Sequence, residues 1–411
     1  MDFFLYLCAM KIALLKETKV PEDNRVALSP QQVAELNMRF PEHEIVVQSS
    51  PTRGFSDEEY RAEGVSVVDE LGDCDVLFGI KEAALETLLP GKHYFFFGHL
   101  AKMQSYNKPL LQGMMAKGLT FSDYEYLTDS HHQRVCAFGW WAGVVGVYYM
   151  LRGWGMRTHS FALPAPTLRF TMNELEANLK AIELPNVRLL VTGAGRVSQG
   201  AQHILDIIGA QRVSEKDFLD SSQKPQGLQY TVADVDKLVA RRNGNAFDFV
   251  DFAGHPEQYE SDFQRWAKAA DILLCAHFWA PESPLYLDEA LLESDELRIR
   301  MVADITCDIM GSIRSTLRSS THAAPYYDYD RHLHCESAPF SDPDHITVMA
   351  VDTCPNALAL DTSTYFGKML QKHVFEPLLA GENSDVIDRA TILRHGRLTH
   401  YFEYLKDWSE A

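Results

Sequence analysis

The sequence predicts an α/β protein built as two domains, for three reasons. The chain has 411 residues, more than one small core accommodates. Short β-rich apolar runs alternate with helical stretches through the first third, the pattern of a mostly parallel sheet. A second strand–turn–helix unit opens only at residue 187 and carries a glycine turn within Val191–Ala201.

In chain order the first strands are KIALLKE (11–17), EIVVQSS (44–50), VSVVD (65–69), DVLFGIK (75–81), HYFFFGH (93–99) and LTFSDYEYL (119–127). Several are almost wholly apolar, as strands covered on both faces are. The stretches SPQQVAELNMRF (29–40), DEEYRAEG (57–64) and SYNKPLLQGMMAKG (105–118) read as the helices between them. Next, AFGWWAGVVGVYYMLRGWGM (137–156) reads as a helix connecting the domains, and Ala142, Gly143 and Gly146 would let another element approach it closely. Its apolar run stops at Arg152, too short to span a bilayer. The second unit follows as strand VRLLVTG (187–193), the turn, helix VSQGAQHILDIIG (197–209), and strands DILLCAHFW (271–279), RIRMVADIT (298–306) and HITVMAVDT (345–353). Residues 211–270 read as polar and irregular. The helix DTSTYFGKMLQKHVFEPLLAG (361–381) and the tail to 411 have no strand left to pair and read as folding back onto the first domain.

Composition narrows the function. A net charge of −19 argues against nucleic acid, whose phosphates need a basic face. Seven scattered cysteines without a C-x-x-C pair signal neither a zinc site nor a disulfide framework, and reduced cytoplasmic thiols are the simplest reading. The opening MDFFLYLCAM lacks a basic flank and a small-residue cleavage site, so it reads as neither signal peptide nor membrane anchor. The expected partners are small molecules, with a homo-oligomer left open, and no metal site is expected.

The chemistry lies at strand ends. Lys81 ends DVLFGIK and His99 ends HYFFFGH. Singly, a lysine there is an ordinary surface residue and a histidine an ordinary core residue. Together they stand where ligands collect outside the carboxyl ends of parallel strands. Two cationic groups close together lower each other's pKa and can carry protons near neutral pH. Arg25 and Arg134 would clamp carboxylates through bidentate bonds. In the second domain Gly193 and Gly195 would let backbone approach a pyrophosphate seated on a helix N-terminus. The second strand of that unit reads as ending near Arg212–Glu215, so Ser214 or Glu215 would face the ribose. Ser214 admits a 2′-phosphate and Glu215 repels it. Asp304 and Asp308, after a late strand, would orient the nicotinamide or bind a substrate amine. These features point to a nicotinamide-dependent dehydrogenase acting on an amino or keto acid.

From Met10 onward the chain resembles the superfamily of alanine dehydrogenase and saccharopine dehydrogenase (L-lysine-forming). The likeness rests on KETK…NRVALSP, FGIKE, GHLAKMQ, DYEYLTD…QRVCAFGWWAGVVG, TGAGRVSQGAQ, ADITCDIMGSI, PYYDYD, AVDTCPNALALDTSTYFG and DRATILRHGRLTHYFEYLKDW. It is greatest to the lysine-ketoglutarate reductase domain. Met310 stands where the family has a glycine, and residues 211–270 match poorly. The resemblance implies two Rossmann-like domains with parallel sheets and a cleft between them. Residues 1–137 plus 354–411 would form the substrate domain, and 138–353 the dinucleotide domain. It implies Lys81 and His99 as acid/base groups. It places Arg25, Lys102, Gln104, Glu125, Arg134 and Asp308 on substrate, and Phe138, Gly193, Gly195, Arg196, Val197, Ser214, Glu215 and Asp304 on the cofactor. The implied reaction is reductive condensation of L-lysine with 2-oxoglutarate to saccharopine, or its reverse, with NADP(H) favoured slightly over NAD(H). Alanine dehydrogenase or another opine-type dehydrogenase is the alternative within enzymes. A sensor or scaffold that has lost catalysis is the alternative outside them.

Overall fold

The computed structural model describes residues 9–220, 222 and 224–410. The opening run through Cys8 lies outside the described residues. No helix among them is long and apolar enough to cross a membrane. The chain divides into two units, one running through Phe138 and resuming at Leu358, the other spanning Gly139–Ala357. The breaks expected from the sequence fall after 137 and 353.

The strands before the first break are β1 (Lys11–Leu14), β2 (Glu44–Gln48), β3 (Val67–Val68), β4 (Val76–Phe78), β5 (His93–Phe96) and β6 (Thr120–Asp123). Then come β7 (Val187–Thr192), β8 (Gln211–Arg212), β9 (Leu228–Ala233), β10 (Val239–Arg241), β11 (Tyr259–Ser261) and β12 (Ile272–Cys275). The last are β13 (Met301–Asp304), β14 (Tyr326–Asp330), β15 (Cys335–Ser337), β16 (Ile346–Met349), β17 (Thr391–Arg394) and β18 (Arg397–Leu398).

The first unit is one sheet in the order β18-β17-β6-β5-β4-β1-β2-β3, parallel from β6 to β3. The apolar runs explain this arrangement, since both faces are covered. Side chains alternate between faces: Phe95 joins one buried cluster with Ile12, Leu14 and Phe78, while Tyr94 and Phe96 join another with Leu77 and Phe121. The C-terminal segment does return to this unit, and it also supplies strands the sequence reading did not assign. β17 lies antiparallel to β6 and β18 antiparallel to β17. A buried hydrogen-bonded chain fastens them, from His93 Nε2 to Ser122 Oγ (2.9 Å) and on to Thr391 Oγ1 (2.9 Å). Burial lowers the His93 pKa to about 3, so this link stays neutral.

The second unit is a sheet in the order β8-β9-β7-β12-β13-β16-β14-β15, parallel except at β14 and β15, with a β10–β11 ribbon beside it. β9 falls inside the stretch read as irregular, and it pairs with β7 over its whole length. The expected second strand, β8, is pushed out to the edge. The Gly139–Thr158 helix opens at the unit boundary and belongs to this unit. It meets the Arg196–Ile207 helix glycine against backbone. A Cβ on Gly143 would stand 1.9 Å from the Val197 carbonyl oxygen, and one on Gly200 1.9 Å from that of Trp140. Both positions therefore demand glycine, and the last glycine of the turn motif serves helix–helix packing.

Candidate active site

Parallel pairing sets the site of the first unit. Beyond β4 and β5 the backbone bonding continues from Gly79 N–H to the Phe95 carbonyl (2.9 Å) and from Phe97 N–H to the Ile80 carbonyl (3.0 Å). Lys81 and His99 therefore leave the sheet from adjacent strands. Arg25 follows β1, and Glu125 follows β6. Four neighbouring strands, β1, β4, β5 and β6, thus deliver their candidates at one carboxyl edge, where α/β sheets bind ligands.

Glu125 is the hub. It is buried, and its carboxylate lies 3.3 Å from His99 Nδ1, 3.5 Å from Lys102 Nζ and 3.1 Å from Arg134 Nη2. Burial opposes its ionisation, but the hydrogen bond and charge of His99, with the charges of Lys102 and Arg134, outweigh burial and lower its pKa to about 2. Lys102 and Arg134 are half-exposed, so both reach solvent from this anion. Gln104 is exposed and accepts the Tyr106 hydroxyl at 2.7 Å.

Arg25 differs from its expected use. Its Nε and Nη2 already bond the buried Asp23 carboxylate at 2.9 and 2.5 Å. Burial alone would raise the Asp23 pKa, yet the Arg25 charge and bonds, helped by Lys81, lower it. The bidentate edge of Arg25 is thus used within the chain, and its guanidinium lies 4.3 Å above the Phe138 ring. Phe138 in turn stacks on Phe366 at 4.3 Å and is 8% exposed, which makes it a wall of packed rings rather than an open face. Asp23, Glu17 and Asp123 escaped the sequence reading. Glu17 lies just beyond β1, Asp123 ends β6 and Asp23 sits in the loop before Arg25, and no motif marks any of the three.

In the second unit Gly193 adopts φ +82, and a Cβ there would stand 2.7 Å from the His277 Cα. Gly195 is different: its φ of −75 suits any residue, and its Cβ would meet nothing within 4 Å. It precedes the 12-residue Arg196–Ile207 helix, whose first N–H groups face outward beside it. This open cradle at a helix N-terminus fits a pyrophosphate. Arg196 is exposed on the first turn, while the Val197 backbone packs against Gly143. Beneath the turn, buried His277 bonds Thr192 Oγ1 (2.6 Å) and Ser312 Oγ (2.8 Å), and burial lowers its pKa to about 3. It ties β7 to the loop after β13 as a neutral ring, a role no motif signalled.

Three further expectations move. Ser214 caps the Glu215–Leu219 helix through Asp217, and Glu215 pairs with Arg265. Both follow the edge strand β8, one strand removed from β7. The end of β9 occupies the expected place: Gly193 N–H bonds the Ala233 carbonyl at 2.7 Å, and exposed Asp234 comes next. Asp304 is fully buried, with its oxygens held by Thr306 (2.7 Å) and Thr316 (2.6 Å), and burial raises its pKa. It staples the loop that carries Asp308 and offers no free edge to a cofactor. On that loop Met310 adopts φ +52. The left-handed region costs a non-glycine residue roughly 1–2 kcal/mol. Met310→Gly is therefore expected to be more stable than Met310→Ala by about 1 kcal/mol in chemical denaturation. Equal stabilities would remove the strain argument.

A cavity of about 500 Å³ in the second unit is lined by Arg152, Met156, Pro166, His322, Tyr326 and Phe340, none of them a sequence candidate. The His322 ring nitrogens bond the Tyr149 hydroxyl and the Thr353 carbonyl, so its wall is largely apolar.

Known proteins share this architecture. The alanine dehydrogenase/PNT N-terminal domain family matches residues 13–145. The alpha-aminoadipic semialdehyde synthase of Arabidopsis thaliana is 28% identical over 437 residues, covering 96% of this chain and 41% of that protein. The mitochondrial synthase of Bos taurus is 26% identical, covering 97% and 48%. The chain thus spans less than half the length of these two relatives. The saccharopine dehydrogenase [NAD(+), L-lysine-forming] of Neurospora crassa is 32% identical over 302 residues, covering 72% of this chain and 73% of that one. A solved L-alanine dehydrogenase shares the fold at a TM-score of 0.63 and 17% identity, over 97% of this chain and 100% of its own. The two-sheet α/β architecture and these likenesses agree, and the chain belongs to the alanine dehydrogenase and saccharopine dehydrogenase superfamily.

Proposed function

We propose that the protein is a nicotinamide-dependent oxidoreductase that joins L-lysine to 2-oxoglutarate as saccharopine, or runs the reverse reaction. The observation that carries this reading is the delivery of Lys81 and His99 from adjacent parallel strands, with His99 against Glu125. The relatives named for saccharopine and aminoadipic semialdehyde support the choice of substrates. Lys81 and His99 move protons to and from the substrate nitrogen and oxygen as carbinolamine forms and loses water. Glu125, anionic throughout the neutral range, stands 3.3 Å from His99 Nδ1 as the carboxylate that orients the ring. Arg134 and Lys102 offer cationic ends to substrate carboxylates from the same anion. Gly193, Gly195 and the helix N-terminus would hold the dinucleotide, which when bound supplies or accepts the hydride.

The test is nicotinamide oxidation with lysine plus 2-oxoglutarate, set against pyruvate plus ammonia within a panel of amines and keto acids. Turnover confined to pyruvate and ammonia would replace this reading with alanine dehydrogenase. Binding of the cofactor without turnover on any pair would favour the sensor.

The resemblance to the lysine-ketoglutarate reductase domain favours NADP(H), and so does Ser214 if it ends the strand beside the glycine turn. With β9 in that position, Asp234 is the carboxylate next to the turn, and we propose NAD(H) instead. A carboxylate there bonds free ribose hydroxyls and repels a 2′-phosphate. NADH is expected to bind at least about tenfold more tightly than NADPH, a difference of about 1.4 kcal/mol. Asp234→Ser should narrow the gap and Glu215→Ser should leave it. Tighter NADPH binding in fluorescence titration, or a gap closed by Glu215→Ser alone, would return the choice to the edge strand.

A further inference from the structure

Two carboxylates take no part in the chemistry assigned above, yet both hold the turns that carry the acid/base pair. Glu17, just beyond β1, accepts the Ile80 N–H on Oε1 (2.7 Å) and the Lys81 N–H on Oε2 (2.9 Å). Asp123, at the end of β6, accepts the N–H groups of Gly98 and His99 on Oδ2 (both 3.1 Å) and that of Glu125 on Oδ1 (2.9 Å). All five donors are backbone N–H groups, and an ionised carboxylate is the side chain that only accepts. An amide in either place would turn an N–H against a donor.

The Asp123 clasp works where the chain is hardest to hold. His99 adopts φ +53, a left-handed conformation that a non-glycine residue keeps only when its surroundings enforce it. Gly98 runs so close to Phe121 that a Cβ would stand 2.6 Å from its ring, and 3.3 Å from Asp123 Oδ2. Asn107 Nδ2 bonds the His99 carbonyl from the other side at 3.3 Å. Because the second Asp123 oxygen holds Glu125, one carboxylate sets both members of the His99–Glu125 pair. Glu17 does the equivalent for the turn after β4, beside the Asp23–Arg25 pair.

We infer that Glu17 and Asp123 are positioning residues, Glu17 clasping the turn that presents Lys81 and Asp123 the turn that presents His99. This inference rests on Lys81 and His99 being the acid/base pair. At both carboxyls burial and the backbone bonds act against each other. Burial, reinforced by the Asp23 charge, pushes Glu17 up to about 8 against the bonds from Ile80 and Lys81 and the charge of Arg25. Burial, reinforced by the Glu125 charge, pushes Asp123 up to about 7 against its backbone bonds and the His99 charge. Burial thus opposes the acceptor-only ionised form, the backbone N–H bonds favour it, and the grip of each carboxyl on the backbone tightens as it loses its proton.

Glu17→Gln and Asp123→Asn test the inference through hydrogen exchange and kinetics together. In Glu17→Gln, exchange of the amides of Ile80 and Lys81 should rise at least about tenfold. In Asp123→Asn, exchange of those of Gly98, His99 and Glu125 should rise likewise, with the rest of the first unit unchanged. kcat should fall at least about tenfold while the cofactor Kd stays within about twofold, because position rather than binding is lost. Glu17→Asp and Asp123→Glu keep acceptor-only chemistry and should recover part of kcat. Unchanged local exchange, a rise spread evenly over the unit, or a local rise with wild-type kcat would each overturn the inference. If lysine and 2-oxoglutarate are not turned over by the wild type, the functional reading falls, and kcat is then read on whichever pair the panel identifies.

Discussion

Lys81→Met is expected to lower turnover by roughly 10²-fold or more, and His99→Gln to do the same, with the fold intact. The size follows from general acid/base catalysis, in which a positioned side chain transfers a proton within the transition state. The fold should survive because the bonds joining the turns after β4 and β5 are backbone ones, Gly79 to Phe95 and Phe97 to Ile80. Methionine fills the volume of the lysine stem without its ammonium. Glutamine keeps a donor at position 99 but cannot take up a proton. The Glu125 anion would then lose the partner whose charge helps to hold it near pKa 2. Steady-state kinetics and thermal melting on the purified variants check this. Wild-type turnover in both would remove the pair from the chemistry.

Much of this arrangement was legible because it is local. Strands covered on both faces are apolar throughout, so KIALLKE, DVLFGIK and HYFFFGH announced themselves, and with them the residues at their ends. The return of the C-terminal segment was legible too, though its strands β17 and β18 were not. What stayed hidden depends on spatial order. β9 reads LQYTVA within a polar segment, and nothing local shows that it slips between β7 and β8. That one insertion carries the ribose position from Ser214 and Glu215 to Asp234. Phe138 reads as a cofactor contact in the sequence, but Phe366, more than two hundred residues away, lies against its face. Arg25 reads as a substrate clamp in the sequence, but Asp23 lies across its fork. Charged groups were harder still, because Glu17 and Asp123 act on backbone atoms, which no side-chain pattern displays.

Gly195→Val is expected to abolish dinucleotide binding while leaving the melting temperature unchanged. The two glycines flanking Ala194 differ in what they avoid. Gly193 needs its positive φ, and its Cβ would strike the backbone of Ala276 and His277, so a side chain there damages the sheet itself. Gly195 meets no protein atom and has an ordinary φ, so neither backbone conformation nor packing requires a glycine at this position. What remains is the space in front of the helix N-terminus, where a pyrophosphate would lie against backbone N–H groups. Two methyl groups placed there would hold the phosphates off those donors, with a loss of at least about 10²-fold in affinity, or about 2.7 kcal/mol. Gly143→Ala is the contrasting control. Its Cβ would collide with the Val197 carbonyl at 1.9 Å, part the two helices and lower the melting temperature before any ligand is added. Calorimetric titration with NADH and thermal melting of both variants separate the cases. Unaltered NADH affinity in Gly195→Val, with the fold intact, would mean that the dinucleotide does not use this turn.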